Sequence, residues 1–437
     1  MRRVLIITYY WPPSGGSGVQ RWLKMSKYLP ENGWQPVIYT AEDAEYPVED
    51  KSLEKDVAPE AEVIRRPIVE PYSFYKKFLG IKKGEKVKTG FINEGKRKSG
   101  WKEYLSVWLR GNFFIPDARC WWIKPSVRHL SKYLKEHPVD VMISTGPPHS
   151  MHLIAKALHK KFNIPWVADF RDPWTEIDYY DKLHLTHWAD RKHHRLEHDV
   201  LTQADKVVTV APDGARRLEN LGAKDVVTIF NGFDRDGDTE NVTKTEKFVI
   251  TYLGVLSKIQ SPENLWTALG ELVKEDYGFA NTLKINMIGQ IDNSVVKSIE
   301  DNDLKQWVTF TPYVPHSEVA KIHRASTLLL LLLMPDSEPR AKGLLTGKLF
   351  EYLASGRPIL CVGPEDGDAA HIISECNAGE TVSFNDKTKI KETIKNYYQR
   401  FKTSGLPDNI NESIEKYSRK SLAAEYARLL EDILLKK

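Results

Sequence analysis

Short apolar runs alternate with amphipathic stretches through most of the 437-residue chain. The first run, residues 4–8, leads into a Pro- and Gly-rich loop and then into residues 19–29, whose apolar positions recur at helical spacing. Strands that alternate with amphipathic helices are typical of a parallel sheet with helices on both faces. The same pattern predicts further strands at residues 35–40, 139–144, 166–170, 206–210 and 226–229.

A second series of apolar runs follows a polar stretch at residues 234–247. It predicts strands at residues 248–253, 283–288, 308–310, 328–334 and 358–362. The run at 328–334 is apolar at every position, as a central strand of a parallel sheet is. We therefore predict an α/β protein with two doubly wound, Rossmann-like domains, residues 1–240 and 241–415, followed by an amphipathic helix within residues 416–437.

Residues 41–116 interrupt the first series, and this interval is too long for an ordinary connection. The chain has 63 basic and 59 acidic side chains, yet residues 76–110 alone hold eleven Lys or Arg and three Glu. This part of the chain contains a helical pattern of aromatic and apolar residues with basic neighbours, including Trp101, Lys102, Tyr104, Leu105 and Trp108. Such a helix is suited to a membrane interface; a solvated charge run beside an ordinary core helix is the alternative.

The cysteines and the lengths of the apolar runs indicate the cellular compartment in which the protein resides. Cys120, Cys361 and Cys376 lie far apart and in no CxxC arrangement, which favours neither a disulfide framework nor a zinc site. The run at residues 4–8 is too short for a secretory signal, and the run at 328–334 is too short to span a bilayer. We predict a cytoplasmic protein, and residues 76–110 leave open a peripheral contact with the anionic inner face of the cell membrane.

Five histidines lie between residues 184 and 198, and His194 and His198 have the i, i+4 spacing of a helical metal site. The glutamate of an HExxH motif is absent, and Arg191, Lys192 and Arg195 would repel a cation. A solvated basic helix explains this segment better. The sequence therefore predicts no metal site and no bound cofactor.

Three loops that follow predicted strands of the first series carry candidate functional groups. Loops at the carboxyl ends of parallel strands line the ligand crevice of an open α/β sheet. The first of these loops contains Gly15, Gly16 and Ser17 just before a predicted helix. Glycines at such a turn let main-chain N–H groups approach a phosphate, whereas a flexible turn without a ligand is the alternative.

The other two loops contain His149 and the segment Asp169-Phe-Arg171-Asp172. His149 is a candidate for binding or proton transfer, although a lone loop histidine is more often a solvated or capping residue. The second segment puts three charges within four residues beside aromatic rings. Its position at a strand end favours a functional site over an internal Asp/Arg ion pair.

A fourth candidate site starts in the cationic loop at residues 340–347 and continues into a predicted helix that holds Lys348 and Glu351. A lysine and main-chain N–H groups can hold a diphosphate, while a carboxylate can accept both hydroxyls of a ribose. This division suits a nucleotide, and a capped surface helix is the alternative. Lys348, Arg171, Asp172 and His149 are the candidate catalytic residues.

Taken together, these motifs resemble the GT-B glycosyltransferases, in particular the retaining, nucleotide-sugar-dependent enzymes of the family 4 type. The resemblance runs nearly end to end, and its most specific segments are Asn231-Gly-Phe-Asp234 and Lys348-Leu-Phe-Glu-Tyr-Leu-Ala-Ser-Gly-Arg-Pro358. It implies that the second domain binds the nucleotide sugar and the first binds the acceptor. It further implies that no metal is required and that the C-terminal helix crosses back to the first domain.

By this resemblance, Glu351 corresponds to the glutamate that binds the donor ribose, and Gly16 to the loop backbone that faces the diphosphate. The full set of residues implied in donor binding is Gly15, Gly16, Ser17, Gly254, Lys258, Gly289, Val314, Thr346, Gly347, Leu349 and Glu351.

The sequence also departs from the family pattern at functional positions. Gly343 stands where the family has an earlier glutamate, and Val255 stands where it commonly has an arginine. Lys258 is a displaced substitute for a family lysine, and Arg171 replaces a histidine. These departures make Lys348 the main candidate for the cation that stabilises the leaving group.

The resemblance implies that a sugar moves from a nucleotide-diphosphate sugar to a hydroxyl of a lipid-linked or polysaccharide intermediate, with retention of configuration. One alternative is a scaffold that binds sugar nucleotides within a surface-polysaccharide assembly without efficient turnover. Another is a glycosyltransferase with a soluble acceptor. No nucleic-acid partner is predicted, because the formal charge of the whole chain is only +4.

Overall fold

The computed structural model describes residues 1–46, 48–70, 101–234, 246–312, 314–404 and 412–436. The chain divides into two compact units, one made of Met1–Phe230 with Arg419–Lys437 and the other of Asn231–Ser418. The sequence had placed these limits at residues 240 and 416. Residues 71–100, which carry most of the predicted basic segment, and residues 235–245 of the polar stretch lie outside the described residues.

The first unit contains one parallel sheet, which has seven strands in the described part of the chain. These are β1 (Arg2–Ile7), β2 (Trp34–Glu42), β3 (Glu62–Pro67), β4 (Val141–Gly146), β5 (Trp166–Phe170), β6 (Lys206–Thr209) and β7 (Val226–Thr228). Their order is β3-β2-β1-β4-β5-β6-β7. The direction of winding therefore changes between β1 and β4, the point at which doubly wound folds bind ligands.

Helices connect these strands and bury both faces of the sheet. They are α1 (Ser17–Tyr28), α2 (Trp101–Phe113), α3 (Ile123–Glu136), α4 (Ser150–Phe162), α5 (His187–Gln203) and α6 (Pro212–Asn220). Alternate residues of a strand point to opposite faces. In β1, Leu5 and Ile7 accordingly enter one apolar core, while Val4 and Ile6 enter the other.

The second unit repeats this architecture with a parallel sheet of six strands among its described residues. They are β8 (Phe248–Leu253), β9 (Leu283–Ile288), β10 (Val308–Thr311), β11 (Leu328–Leu332), β12 (Ile359–Val362) and β13 (Gly379–Val382), in the order β10-β9-β8-β11-β12-β13. The helices are α7 (Glu263–Glu275), α8 (Tyr277–Thr282), α9 (Asn293–Asp301), α10 (His316–Ala325), α11 (Gly347–Ser355), α12 (Asp368–Glu375) and α13 (Lys387–Ser404).

The C-terminal helix α14 (Arg419–Leu435) belongs to the first unit, as the resemblance implied. It packs against α1, and its apolar side chains Leu422, Tyr426 and Leu430 join the core that contains Trp22. The spacing of these residues had predicted a packed helix. No helix in the described ranges is long and apolar enough to cross a membrane.

The predicted α/β fold with two doubly wound domains is confirmed, and β5, β8 and β9 have the predicted bounds. Other predictions need correction. The interval 41–116 is not a plain insertion, because β2 extends to Glu42 and β3 lies inside it. The strand predicted at 328–334 ends at Leu332, and β13 was missed. The two strands that the sequence did not predict, β3 and β13, lie at sheet edges. They are less buried than central strands and lack a continuous apolar run.

Candidate functional site

The candidate loops of the first unit meet at the carboxyl ends of β1, β4 and β5. Arg171 follows β5 directly and donates hydrogen bonds from its guanidinium to the main-chain oxygens of Gly18 and Pro147. Its Nε atom lies 3.4 Å from the carbonyl oxygen of Gly146. One side chain thus ties α1 to the loop after β4. Because three of its nitrogens donate within the protein, Arg171 fixes the shape of this edge.

The structure buries His149, whose relative exposure is only 6%. The imidazole stacks on the Trp174 ring with centroids 4.7 Å apart, and burial holds its pKa well below the ordinary value. Its Nδ1 atom has no hydrogen-bond partner among the described residues and faces Gly146. His149 is therefore a neutral, buried side chain at the carboxyl edge of the sheet. Its role in binding or proton transfer stays a prediction.

The charged segment Asp169–Asp172 begins inside β5 and continues beyond its end, and its two parts have different surroundings. Asp169 is fully buried and forms an ion pair with Arg21 of α1 at 2.8 Å. For Asp169 the structure therefore shows an internal Asp/Arg ion pair, the alternative to a functional role. Asp172 is exposed and makes no hydrogen bond to the described residues. Asp172 is thus the most exposed of the three charged residues, although neighbouring atoms desolvate its carboxyl group and raise its pKa.

Asp169 is the centre of a buried hydrogen-bond network that the sequence did not reveal. Trp22 Nε1, Thr145 Oγ1 and the Tyr426 hydroxyl each donate to its carboxylate at 2.8 Å. Burial opposes ionisation of Asp169, but the Arg21 guanidinium and these donors outweigh it and lower its pKa. The only local signal was Arg21 itself, a charge on the face of α1 that also carries buried residues.

The glycine loop leads into the N-terminus of α1. The N–H of Gly15 already donates to the Val48 carbonyl at 2.8 Å. Gly16 has a φ of +81° and, like Ser17, is exposed. Within the described residues, α1 has neither a side-chain cap nor an acidic residue in its first turn. Its first N–H groups therefore remain available to an anion.

In the second unit, two predicted glycines follow neighbouring strands. Gly254 comes after β8 with a φ of +135°, and Gly289 comes after β9 with a φ of +111°. A Cβ atom on Gly289 would stand 2.2 Å from the Gly254 carbonyl oxygen. A Cβ atom on Gly254 would stand 2.8 Å from Nζ of Lys348. Both positions require glycine because main chain and lysine pack closely against them.

Lys348 is the second residue of α11 and reaches back over the end of β8. Its Nζ atom donates to the Tyr252 hydroxyl at 2.8 Å and lies 4.4 Å from the centroid of the same ring. Burial lowers the pKa of Lys348 to about 8, although the nearby Glu351 carboxylate acts in the opposite direction. The result is an ammonium that is poorly solvated before any ligand is bound.

The remaining predicted donor residues have varied surroundings. Thr346 precedes α11, and its buried Oγ1 lacks a hydrogen-bond partner among the described residues. Gly347 is exposed, whereas the Leu349 side chain is fully buried, which leaves only its main chain for a ligand. Lys258 is exposed, and Val314 is half-buried after β10.

The predicted aromatic helix is present as α2. Trp101 and Tyr104 are 68% and 52% exposed, while Leu105 and Trp108 are half-buried. The helix is held to the protein by Asn112, whose side chain accepts from the Thr186 N–H at 2.7 Å and donates to the His184 carbonyl at 3.2 Å. Polar contacts thus hold one side of α2, and two aromatic rings face solvent. The side chain of Lys102 lies outside the described residues.

Comparison with known families locates a recognised domain around the first-unit loops. Residues 103–232 match the Glycosyl transferase 4-like domain. This segment contains His149, Arg171 and Asp172. A curated relative, D-inositol 3-phosphate glycosyltransferase 1 of Catenulispora acidiphila, is 22% identical over 209 residues, which are 46% of this chain and 48% of that protein. The match thus spans about half the length of this relative.

Solved structures resemble the whole chain. A glycosyltransferase from Rickettsia africae aligns over 100% of this chain and 99% of its own, with a TM-score of 0.64 and 15% identity. HepE of Anabaena, solved in complex with UDP, aligns over 99% of this chain and 100% of its own, with a TM-score of 0.60 and 12% identity. The protein therefore has the GT-B fold, in agreement with the fold implied by its motifs.

Proposed function

We propose that the protein is a glycosyltransferase that moves a sugar from a nucleotide-diphosphate sugar to an acceptor hydroxyl, with retention of configuration and without a metal. The observation that carries this proposal is the desolvated ammonium of Lys348, which lies in the first turn of α11 three residues before Glu351. The family match of residues 103–232 supports the reaction type. HepE structures with UDP and with UDP-glucose support the class of donor.

The transfer breaks the bond between the anomeric carbon and a phosphate oxygen, and its electron pair stays on the departing diphosphate. The acceptor oxygen forms the new bond to the anomeric carbon, and its proton passes to a phosphate oxygen of the leaving group. The protein must therefore stabilise negative charge on the diphosphate rather than supply a strong base. Fixed cations and N–H groups meet this demand.

Lys348 is suited to this task by its surroundings. A cation in the first turn of a helix lies near the positive end of the helix dipole, and Lys348 is also partly removed from water. Both effects disfavour the charged ammonium in the free protein. The negative charge of a bound diphosphate would offset both. Glu351, one helical turn further on, accepts the ribose hydroxyls in this proposal. In the first unit, the N–H groups at the start of α1 offer a further phosphate-binding feature.

We assign the acceptor to the first unit, at the carboxyl edge of its sheet. Asp172 is exposed there and free to contact a sugar or an acceptor hydroxyl, while Arg171 and His149 support the loop that presents it. We propose a lipid-linked or polysaccharide intermediate as the acceptor. The exposed rings of Trp101 and Tyr104 support this choice, because aromatic side chains with basic neighbours favour an anionic membrane surface.

A donor panel tests the reaction. Purified protein is incubated with uridine, guanosine, thymidine and adenosine diphosphate sugars, and release of the nucleoside diphosphate is measured with and without extracted glycolipid acceptor. We expect release from at least one donor without added metal and in the presence of a chelator. Failure of a folded protein across the whole panel would leave the binding scaffold as the better description. NMR of the product's anomeric proton checks retention.

Two variants test the residue roles. Glu351→Ala should raise the donor KM about tenfold with little change in kcat, because a ribose contact serves ground state and transition state alike. Lys348→Ala should lower kcat about a hundredfold, because its charge acts on the departing diphosphate. Lys389→Ala is the control, since Lys389 pairs with Glu365 elsewhere in the unit at 2.7 Å. Full activity in both test variants contradicts the assignment.

A further inference from the structure

The hydroxyl of Tyr252 lies between Lys348 and the main chain at the end of β8. It donates to the Val255 carbonyl oxygen at 2.7 Å, and Nζ of Lys348 lies 2.8 Å from it. We propose that Tyr252 is a positioning residue that holds the Lys348 ammonium for the departing diphosphate. This inference rests on the proposed function, in which Lys348 stabilises the leaving group.

The direction of the two hydrogen bonds is fixed by elementary chemistry. A phenol has one proton, and the proton of Tyr252 is used on the Val255 carbonyl. Only oxygen lone pairs remain toward Lys348, and an ammonium can only donate. The Tyr252 oxygen therefore accepts from Lys348, and the contact favours the charged form of the lysine.

The lysine side chain is confined on a second side by Gly254. A Cβ atom there would stand 2.8 Å from Nζ and 3.2 Å from Cε of Lys348. Nζ also lies 4.4 Å from the centroid of the Tyr252 ring, on the side of the hydroxyl group. A lysine has a flexible four-carbon stem, and these contacts hold the ammonium in one place before the donor binds.

The same arrangement adjoins a departure from the family pattern. Val255 stands at the position where the resemblance expects an arginine, so its side chain offers no charge to a diphosphate. Its carbonyl instead orients the Tyr252 hydroxyl, and that hydroxyl orients Lys348. Tyr252 is itself fully buried, so we expect it to act through Lys348.

Tyr252→Phe tests the inference because it removes the hydroxyl and keeps the ring. We expect kcat to fall about tenfold with a small change in donor KM, since a hydrogen bond to a charged group is lost. The pH at which kcat/KM declines should also move down, because loss of this acceptor disfavours the ammonium. Tyr398→Phe is the matched control, a buried tyrosine of the same unit whose hydroxyl lies 3.4 Å from the Thr282 hydroxyl.

A double-mutant cycle separates positioning from a general structural effect. In the Lys348→Ala background, Tyr252→Phe should cause no further loss of kcat, because there is no ammonium left to position. An equal loss in both backgrounds would overturn the proposal. So would a Tyr252→Phe enzyme with wild-type kcat and an unchanged pH profile.

Chemical labelling gives a readout that does not need turnover. Only an unprotonated amine reacts with acetic anhydride, so the pH dependence of Lys348 acetylation, followed by mass spectrometry, reports its ionisation. The midpoint should lie near pH 8 in the wild type and lower in Tyr252→Phe. If no donor reacts but the midpoint shifts, the proposed function fails while the contact stands. An unchanged midpoint rejects the role of Tyr252.

Discussion

Ionisation of the Lys348 side chain gives the proposed reaction a characteristic pH dependence. Burial lowers its pKa from 10.5 to about 8, so the free protein carries the ammonium below this pH and loses it above. We expect kcat/KM for the donor to be constant below about pH 7, to reach half of its maximum near pH 8 and to fall further as the pH rises. Lys348→Arg keeps its charge throughout and should abolish this decline. A wild-type profile that stays level to pH 9.5 would contradict the role of Lys348.

Gly254 has a positive φ and lies close to the Lys348 side chain, so an alanine at this position should be costly. Gly254→Ala forces a positive φ on an L residue and places a methyl group 2.8 Å from Nζ of Lys348. We expect the free energy of unfolding in urea to fall by about 2 kcal/mol, together with a loss of kcat as the ammonium is displaced. Gly347→Ala is the stability control, because no atom lies within 4 Å of the added Cβ. Equal stability of the two variants would argue against the strain.

The Asp169 network joins three parts of the first unit that are far apart in sequence. Asp169 lies in β5, Arg21 and Trp22 lie in α1, and Tyr426 lies in α14. The rings of Trp22 and Tyr426 also meet, with centroids 5.0 Å apart. The C-terminal helix is thereby attached to the sheet by polar as well as apolar contacts.

We therefore expect graded losses of stability from two substitutions. Tyr426→Phe removes one donor from a buried carboxylate and should cost about 1–2 kcal/mol. Asp169→Asn leaves the buried Arg21 guanidinium without its counter-charge and should cost about 3–5 kcal/mol. Urea unfolding followed by tryptophan fluorescence measures both. Tyr397→Phe, in the second unit, is the control. The reverse order of the two losses would show that the carboxylate is not the centre of the network.

The hydrophobic pattern of the chain predicts interior strands better than the edge strands β3 and β13. The interior strands β5, β8 and β9 were predicted with their bounds, because most of their residues are apolar and buried. The edge strands β3 and β13 were not predicted. Arg65 and Arg66 of β3 are exposed at the sheet edge, and β13 begins with Gly379. Their pairing depends on a neighbouring strand rather than on their own composition.

The exposed aromatic side chains of α2 predict that the proposed reaction takes place at an anionic membrane surface. We expect the protein to float with vesicles that contain anionic lipid and to be released by salt. Replacing Trp101 and Trp108 with serine should weaken flotation severalfold without changing the far-UV circular dichroism. Tyr277→Ser is the matched control, since Tyr277 is 82% exposed but belongs to the second unit. Undiminished flotation of the double variant would reject the contact.

The hydrophobic pattern of the chain is sufficient to predict the two α/β units, most of their strands, and the loops at the strand ends that hold the candidate site. These features follow from local periodicity and from the geometry of glycine and helix termini. Which polar groups stay exposed at the strand ends and which pair with each other depends on the tertiary structure. Asp169 pairs with Arg21 across 148 positions, and Lys348 meets Tyr252 across 96. Such partners are selected by packing, because a buried charge must find its donors wherever the fold brings them.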